Sequence, residues 1–557
     1  MKKNNNVVAI SLTYLAMCFH ASASNNISST ANQNEQDKAR QASLAPEQQD
    51  YRPAEHTAGS ANIVFPVEKN CKYIKEIIIT SRDENLTHKL LNKLVAQAKS
   101  KCLGIEGIQL LTRKLQNELL IKGYITSLID IPSQSLQDST LQLRLTYGTV
   151  GTISYASDES DKTRLWNSMP LSGGDILRLP DLEQGMANLQ RTPGSAAQMA
   201  LLPGQHDGES NIKIVRKVDK SWQVGLWLDD AGSRATGRYQ GGGALYLYDM
   251  TSLNDTFYIS GGGDINVNQH QKGNSNASIY YSLPFGYWDL SVYASKSEYL
   301  QQLKGLWSST DFKSKNHHYS ATISRMLSHT QTQKTSADLR IFKSNSRYYF
   351  GGAELEIMRK NNPGWELTLR HQHYFDKKAI AASLGFQKRL AWLNSSPTPE
   401  EKAGLYDKEA RVIHGEMQAY MKFDLTGDDF SYAPRISAQY SPDKLATDNM
   451  FNIGSRWSVR GFDGENTLSS SQGWFWRNDL IWDLPLPDQQ FYLGLDIGKI
   501  IGSDRYQSGT VLSGAVSGLR GEVLQTQYDF FIGTPISRPE SFHSDSFNMG
   551  FSLQWRY

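Results

Sequence analysis

The sequence predicts a mainly β protein: a transmembrane antiparallel β-barrel of about 16 strands, preceded by two small α+β domains and a short N-terminal helix. Three observations carry this. From Ser221 onward, apolar and polar residues alternate over segments of about ten residues, the length a tilted strand needs to cross a bilayer. Trp288, Leu290, Val292 and Ala294 share one face, and Asp289, Ser291, Tyr293 and Ser295 the other; Trp365, Leu367 and Leu369 repeat this against Glu366, Thr368 and Arg370. The last segment is the sharpest: Phe547, Met549, Phe551, Leu553, Trp555 and Tyr557 take every second position, with Asn548, Gly550, Ser552, Gln554 and Arg556 between them. Such a strand is expected to close the barrel against the first. Finally, the N-terminus reads as an export signal, yet no later run approaches the roughly 18 apolar residues of a membrane helix. Insertion must then be as a closed barrel, here in an outer membrane.

The export signal consists of Lys2 and Lys3, the apolar stretch Val7 to Phe19, and Ala21-Ser22-Ala23 as cleavage site, giving a signal peptide over residues 1–23. Its removal leaves Cys71 and Cys102. An even pair in an oxidising compartment favours a disulfide, and two thiols with no nearby His make an incomplete zinc shell, so no metal is expected. Hydrophobic residues are only 39%, yet Tyr (27), Phe (20), Trp (12) and Gly (44) are plentiful. That balance suits a barrel that hides its apolar band in alternation and rings it with aromatic girdles. The net charge of +2 supplies no bulk attraction to nucleic acid.

Residues 24–62 are rich in Asn, Gln, Ser and Ala and read as a linker. Within it Asn34–Ala45 has helix-forming composition, with Asn34 as candidate cap and Pro46 as stop. A helix that plugs a pore and a disordered tether both fit these residues. Residues 63–147 read as one small domain: a strand over Tyr73–Thr80, helices over Leu86–Lys101 and Ile108–Leu120, and strands over Ile125–Ile131 and Leu141–Leu145. Residues 148–218 repeat this logic, with strands at Val150–Tyr155, Ala197–Leu202 and Asn211–Val215. Their helix is Leu179–Leu189, with Asp181 as its cap or first-turn acid. Residues 219–557 form the barrel, in which polar connections such as Ser395–Lys408 are expected on the outside.

Several stretches, in order, resemble the haemolysin and haemagglutinin exporter family, the outer-membrane transporters of two-partner secretion. C-L-G-I-E-G-I-Q-L-L-T (Cys102–Thr112) with I-K-G-Y-I-T-S (Ile121–Ser127) is similar to the family's first periplasmic POTRA domain. R-L-P-D-L-E-Q-G-M-A-N-L-Q-R (Arg178–Arg191) and L-L-P-G-Q-H-D-G-E-S (Leu201–Ser210) are similar to its second. D-D-A-G-S-R-A-T-G-R-Y-Q (Asp229–Gln240) resembles the first barrel hairpin. F-N-I-G-S-R-W-S-V-R-G-F-D-G-E-N (Phe451–Asn466), G-W-F-W-R-N-D-L (Gly473–Leu480) and G-L-D-I-G (Gly494–Gly498) resemble its inward-folded loop, spanning 453–472, and the strands beside it. One departure is L-Y-D-M-T-S-L-N-D (Leu247–Asp255), where the family has an Asn-Pro turn.

The resemblance implies an outer-membrane translocase whose N-terminal domains lie in the periplasm. Its partner is a large secreted exoprotein bearing an N-terminal secretion domain, such as a haemolysin, adhesin or contact-dependent inhibition toxin. Outer-membrane lipid surrounds the barrel, and the barrel assembly machinery engages the C-terminal strand ending at Tyr557. The loop motif is Val459, Arg460, Gly461 and Phe462, and Arg460 is implied to pair with Asp496. The residues alone allow an exposed turn Arg and an ordinary lumen Asp. They also show why Asp496 suits the role: alternation places it on one face with Gly494 and Gly498, where another segment can approach closely. The alternative readings are a barrel-insertion factor and a passive channel. No G-x-S-x-G elbow, H-E-x-x-H or nucleotide loop is present in the sequence, so neither catalysis nor a cofactor is expected. His371 and His373 could share a metal or mark the edge of the lipid-facing band. The Tyr73–Thr80 strand and those around Gly148 and Asn211 are candidate edges for binding an extended segment.

Overall fold

The computed structural model describes residues 30–45, 62–157, 163–266, 272–304, 309–330, 332–391, 397–502 and 509–557; the expected signal peptide lies outside them. In the first domain, the Asp83 carboxylate accepts from Leu86 N at 2.9 Å and caps helix Glu84–Ala98. This helix buries Leu91, Leu94, Val95 and Ala98. Helix Ile105–Ile121 buries Leu111, Leu115 and Leu119 beside it, at the i, i+4, i+8 spacing of one helical face. Both pack on a sheet in which Glu76–Ser81 runs parallel to the central strand Thr140–Thr146, with Leu128–Asp130 antiparallel on its other side.

The expected single strand Tyr73–Thr80 is instead two. Lys72–Ile74 pairs with Lys101–Leu103, and Glu76–Ser81 joins the main sheet. Lys75 is the break, and its N–H bonds Ser139 O rather than either ladder. The short ladder places Cys71 and Cys102 in a disulfide. It also brings Glu68 to the start of the second helix, which Gly104 precedes with no side chain to cap it. The Glu68 carboxylate accepts from Gly104 N, Glu106 N and Gly107 N at 2.8–3.0 Å. Loss of water around Glu68 alone would raise its pKa, but these three amide donors outweigh that and hold it below the ordinary carboxylate range.

The second domain repeats the plan. Glu209–Val218 is central, flanked by parallel Thr149–Tyr155 and antiparallel Ser195–Pro203. The Asn211 strand is therefore no open edge, because both its sides are paired. Helix Leu179–Leu189 covers this sheet with Pro180 in its first turn. Asp181 is a first-turn acid rather than the cap, which falls at Arg178. Its carboxylate accepts from the Tyr287 hydroxyl at 2.6 Å, across the junction to the barrel.

From Trp222–Asp229 to Asn548–Arg556, sixteen long antiparallel strands and one two-residue strand close into a barrel. Closure comes from Asn548–Arg556 pairing with Trp222–Asp229, from Ser552 opposite Asp229 to Arg556 opposite Gly225. The alternation seen in the sequence becomes inside and outside. Leu290, Val292, Leu367, Leu369, Leu493 and Leu495 point outward and are exposed, whereas Tyr246, Tyr258, Phe475 and Tyr492 are buried within. Among the described residues, no helix is long and apolar enough to cross a membrane.

The second domain is docked on the turns at one end of the barrel. Asn188 Nδ2 donates to Gly286 O at 2.7 Å, Arg191 pairs with Asp289 at 2.7 Å, and buried Arg216 pairs with Asp249 at 3.1 Å. Asp249 and Asn254 belong to the hairpin turn that departs from the family's Asn-Pro pattern. Both have positive φ, and Asn254 accepts from Arg216 at 3.0 Å. That turn thus serves as a seat for the domain. Connection 397–410 lies at the opposite end and contains the one-turn helix Pro399–Lys402, closed by a capping box between Thr398 and Glu401.

Two outcomes are expected in unfolding experiments on the full chain. Cys71→Ser removes a bridge between residues 31 apart and should destabilise the first domain by roughly 2–4 kcal/mol. Limited proteolysis should find that domain cut earlier while the barrel stays resistant. Glu68→Gln should destabilise the same domain at neutral pH. A depressed carboxylate stabilises the fold above its unfolded pKa and loses that effect as pH falls through its folded pKa. The difference between wild type and variant should therefore shrink in acid; a gap independent of pH would contradict the cap.

Candidate functional site

Two segments fill the barrel lumen. The first is helix Thr30–Leu44, which begins four residues before the expected Asn34; Asn34 is thus inside the helix and is not its cap. At about 1.5 Å per residue it is about 22 Å long, against a hydrocarbon core of about 30 Å. It is not apolar enough to be a core helix, and polar contacts hold it along the pore. Asp37 accepts from Ser297 Oγ at 2.6 Å and from the Tyr299 hydroxyl at 2.9 Å. Gln36 Nε2 donates to Ala231 O at 2.8 Å, and Arg40 donates to Gln240. At its C-terminal end, Leu44 O accepts from the Tyr246 hydroxyl and Ser43 O from Arg556 Nη2, each at 2.9 Å. A cation at the last helical carbonyls is the favourable electrostatic arrangement.

The second segment is the connection between strands Asp428–Tyr440 and Gln472–Asp483. It folds inward as a small hairpin of Phe451–Ile453 against Leu468–Ser470. Its apolar side chains make a compact core within the lumen: Phe451, Ile453, Val459, Phe462 and Leu468 pack on Phe475, Ile500, Leu512 and Phe542. Phe462 meets Phe542 edge to face, at 5.5 Å between ring centres. Val459, Arg460, Gly461 and Phe462 are all buried.

Arg460 lies beside Asp496, as the resemblance implies. Its Nε is 2.7 Å from Asp496 Oδ2 and its Nη2 is 2.9 Å from Oδ1, a two-point grip on one carboxylate. The backbone N–H of Arg460 adds a third bond to Asp496, at 2.9 Å. Three features of the grip were not read from the sequence. Asp479 also accepts from Arg460 Nη2, so the guanidinium sits between two carboxylates. Arg477 Nη1 donates to Arg456 O and Trp457 O at 3.2 and 3.3 Å, holding the loop backbone. Arg456 reaches Asp230 at 2.6 Å, on the first hairpin beside the barrel seam. The signal for the first two was present: in F-W-R-N-D, alternation puts Arg477 and Asp479 on the lumen face with Phe475. No local pattern pairs Arg456 with Asp230, which are 226 residues apart.

Glycines make the approach possible. A Cβ at Gly498 would stand 2.7 Å from Val459 Cγ2, and one at Gly494 2.6 Å from Arg460 Nη2. Gly461 has φ +100, and a Cβ there would meet Thr534 O at 2.5 Å, so only glycine lets the chain turn against the wall. His371 and His373 sit on the outward face toward the end that carries the N-terminal domains. His371 Nδ1 is 2.9 Å from Thr335 Oγ1, and the two rings stand 6.0 Å apart.

These features define an outer-membrane transport barrel whose lumen is closed by its own chain. The family model described as haemolysin secretion/activation protein ShlB/FhaC/HecB matches residues 208–521, a ShlB-type POTRA domain matches 74–148 and a further POTRA domain 149–203. The chain belongs to that family. It is an outer-membrane transporter of a two-partner secretion system, with its N-terminal domains in the periplasm, and such transporters pair with large exoproteins. Among its relatives, outer membrane transporter CdiB-2 of Burkholderia pseudomallei (strain 1026b) is 29% identical over 474 residues, 82% of this chain and 79% of that protein. Hemolysin transporter protein HpmB of Proteus mirabilis is 24% identical over 501 residues, 89% of this chain and 88% of that protein. The solved structure of CdiB from Acinetobacter baumannii shares the fold, with TM-score 0.81 at 24% identity over 94% of this chain and 97% of that one.

Replacing Arg460 by Ala leaves two buried carboxylates facing each other without their cation, at a cost of about 3–5 kcal/mol to the docked loop. Arg460→Lys should recover only part of this, since an ammonium cannot grip a carboxylate at two points. Proteolysis of the loop in folded, heat-modifiable barrels measures both; equal protection of wild type and Arg460→Ala would show that the apolar core alone holds the loop.

Proposed function

We propose that residues 63–147 and 148–218 capture a large unfolded exoprotein by its N-terminal secretion domain, and that the barrel, residues 219–557, passes it outward. Helix Thr30–Leu44 and the loop carrying Val459, Arg460, Gly461 and Phe462 act as two removable closures of that path. One observation carries this reading: the lumen is filled by chain segments held through side chains and packing, not through strands of the wall. Either segment can leave without breaking a hydrogen bond between wall strands. A passive channel has no need of such fillings.

Arg460 and Asp496 form the latch, with Asp479 as second carboxylate. The captured segment adds as a strand to an open edge of a periplasmic sheet, for which Glu76–Ser81 and the part of Thr149–Tyr155 beyond Val150 are available, the start of the latter being bridged to Ile176. The periplasm lacks ATP, so transport is driven by the exoprotein folding outside, which prevents its return. The partner belongs to the haemolysin, adhesin or contact-dependent inhibition toxin class, and release activates it where it is a haemolysin. The C-terminal strand ending at Tyr557 engages the barrel assembly machinery, and the outward apolar band contacts outer-membrane lipid. No enzymatic step enters this mechanism.

Two measurements test it. Wild type should deliver the exoprotein encoded beside its gene to the medium, and Arg460→Ala should lower delivery at least about tenfold at matched barrel levels. Retention of that exoprotein in the periplasm by wild type as well would reject the pairing. Deleting residues 30–45 should raise single-channel conductance in planar bilayers; unchanged conductance would remove the helix from the role of plug.

A further inference from the structure

The outward face is apolar along most of the wall, but one sector carries a cluster of cations. The sector is four adjacent strands, Gly273–Phe285, Trp288–Lys304, Ser309–His329 and Gln333–Phe350. The last three run 17, 21 and 18 residues, well beyond the 9–11 or so that cross the hydrocarbon. Trp288 marks its periplasmic edge, with the Arg325 guanidinium 4.8 Å from its ring centre. Counting about ten residues up the wall from these two reaches Glu298 and Lys315. The level of the outer-leaflet headgroups therefore falls on Lys296, Lys315 and their neighbours.

The register joins these positions into one patch. Lys296 lies opposite His317, Glu298 opposite Lys315, and Lys315 opposite Arg347. Lys343 stands two outward positions nearer the membrane core than Arg347, opposite Tyr319. All occupy the outward set of alternating positions, together with exposed Ile341 and Val292. Two carboxylates accompany them. Glu298 is bridged by Lys296 at 2.9 Å and Lys313 at 2.6 Å, and Asp311 lies further out. Lys315 sits 5.4 Å from the Tyr349 ring centre. On the outward positions of this patch five cations, Lys296, Lys313, Lys315, Lys343 and Arg347, stand with two carboxylates, Glu298 and Asp311.

Directly below the patch is an apolar groove of about 440 Å³, within the range of about 300–1,000 Å³ of ligand sites. Ala294 and Ala321 form its floor between Ile279, Val292 and Ile341, and Tyr319 and Lys343 close its upper end. An acyl-chain groove beneath a phosphate-binding cluster matches an amphiphile with a phosphorylated head. Outer-membrane location fixes which amphiphile meets this level of the wall. We propose that this sector binds the phosphorylated glycolipid of the outer leaflet, one acyl chain lying on Ala294 and Ala321 and its phosphates on Lys315, Lys343 and Arg347. Lys and Arg are the side chains suited to phosphate, through charge-assisted hydrogen bonds.

Native mass spectrometry of the full-length protein in detergent tests this, using three probes: purified lipid A, lipid A with its phosphates removed, and phosphatidylglycerol. Wild type should retain lipid A at least about tenfold better than either other probe. The triple variant Lys315→Gln, Lys343→Gln, Arg347→Gln should lose about tenfold of that retention. Lys499→Gln, an exposed lysine on strand Gln489–Ile501 outside the sector, should lose none. Heat-modifiable mobility establishes that each barrel is folded; if the triple variant does not fold, Arg347→Gln alone should lose at least about threefold. Equal retention by wild type and variant, or of dephosphorylated lipid A, overturns the site. Equal retention of phosphatidylglycerol reduces it to a general preference for anionic lipid and overturns the glycolipid assignment.

Discussion

Every backbone N–H and C=O within a bilayer must find a partner in the protein, because no water is there to supply one. In this chain sixteen strands meet that demand only as a ring, and the ring closes through a short ladder between Trp222–Asp229 and Asn548–Arg556. The rest of the molecule follows from the ring. Its outer face must be apolar, its inner face is free to be polar, and its diameter leaves a lumen that side chains of the wall alone do not fill.

The lumen is filled by helix Thr30–Leu44 and the inward loop, and the two are held by different physics. The helix has polar partners around it and a cation at its C-terminal carbonyls, interactions that water can replace when it leaves. The loop combines a buried apolar core with a desolvated Arg460 between Asp479 and Asp496. An ion pair of this kind adds little net stability over apolar packing, yet removal of one member is costly. It therefore fixes one loop position rather than making the barrel more stable. Arg456 and Arg477 extend the hold to the seam and to the loop backbone, so the loop is tied to both sides of the pore.

At the periplasmic end, the second POTRA domain is bolted to the turns at Asp249–Asp255 and Gly286–Asp289 by Arg216, Arg191 and Asn188. The departure from the family's turn sequence falls on this seat. In the proposed capture mechanism this seat keeps a substrate held at a periplasmic sheet edge close to the pore entrance.

The class of fold is legible in the residues alone, because period-two alternation is a local signal that every strand repeats, and the ending Phe547 to Tyr557 states it most clearly. So is the glycine-flanked position of Asp496, since alternation assigns faces without any knowledge of neighbours. Family resemblance, not residue pattern, joined Asp496 to Arg460. Local reading failed where long-range pairing decides: the break at Lys75 exists because two different partners, Lys101–Leu103 and Thr140–Thr146, compete for one run of β-formers. The lumen helix starts at Thr30, four residues before the expected Asn34, and the composition around its start is too weakly helical to mark it. The folded ring alone reveals that Asp479 shares Arg460, that Arg456 reaches Asp230, and that cations on separate strands stand together above one groove. Each depends on the register of the closed wall, which is a property of the whole ring and not of any one of its strands.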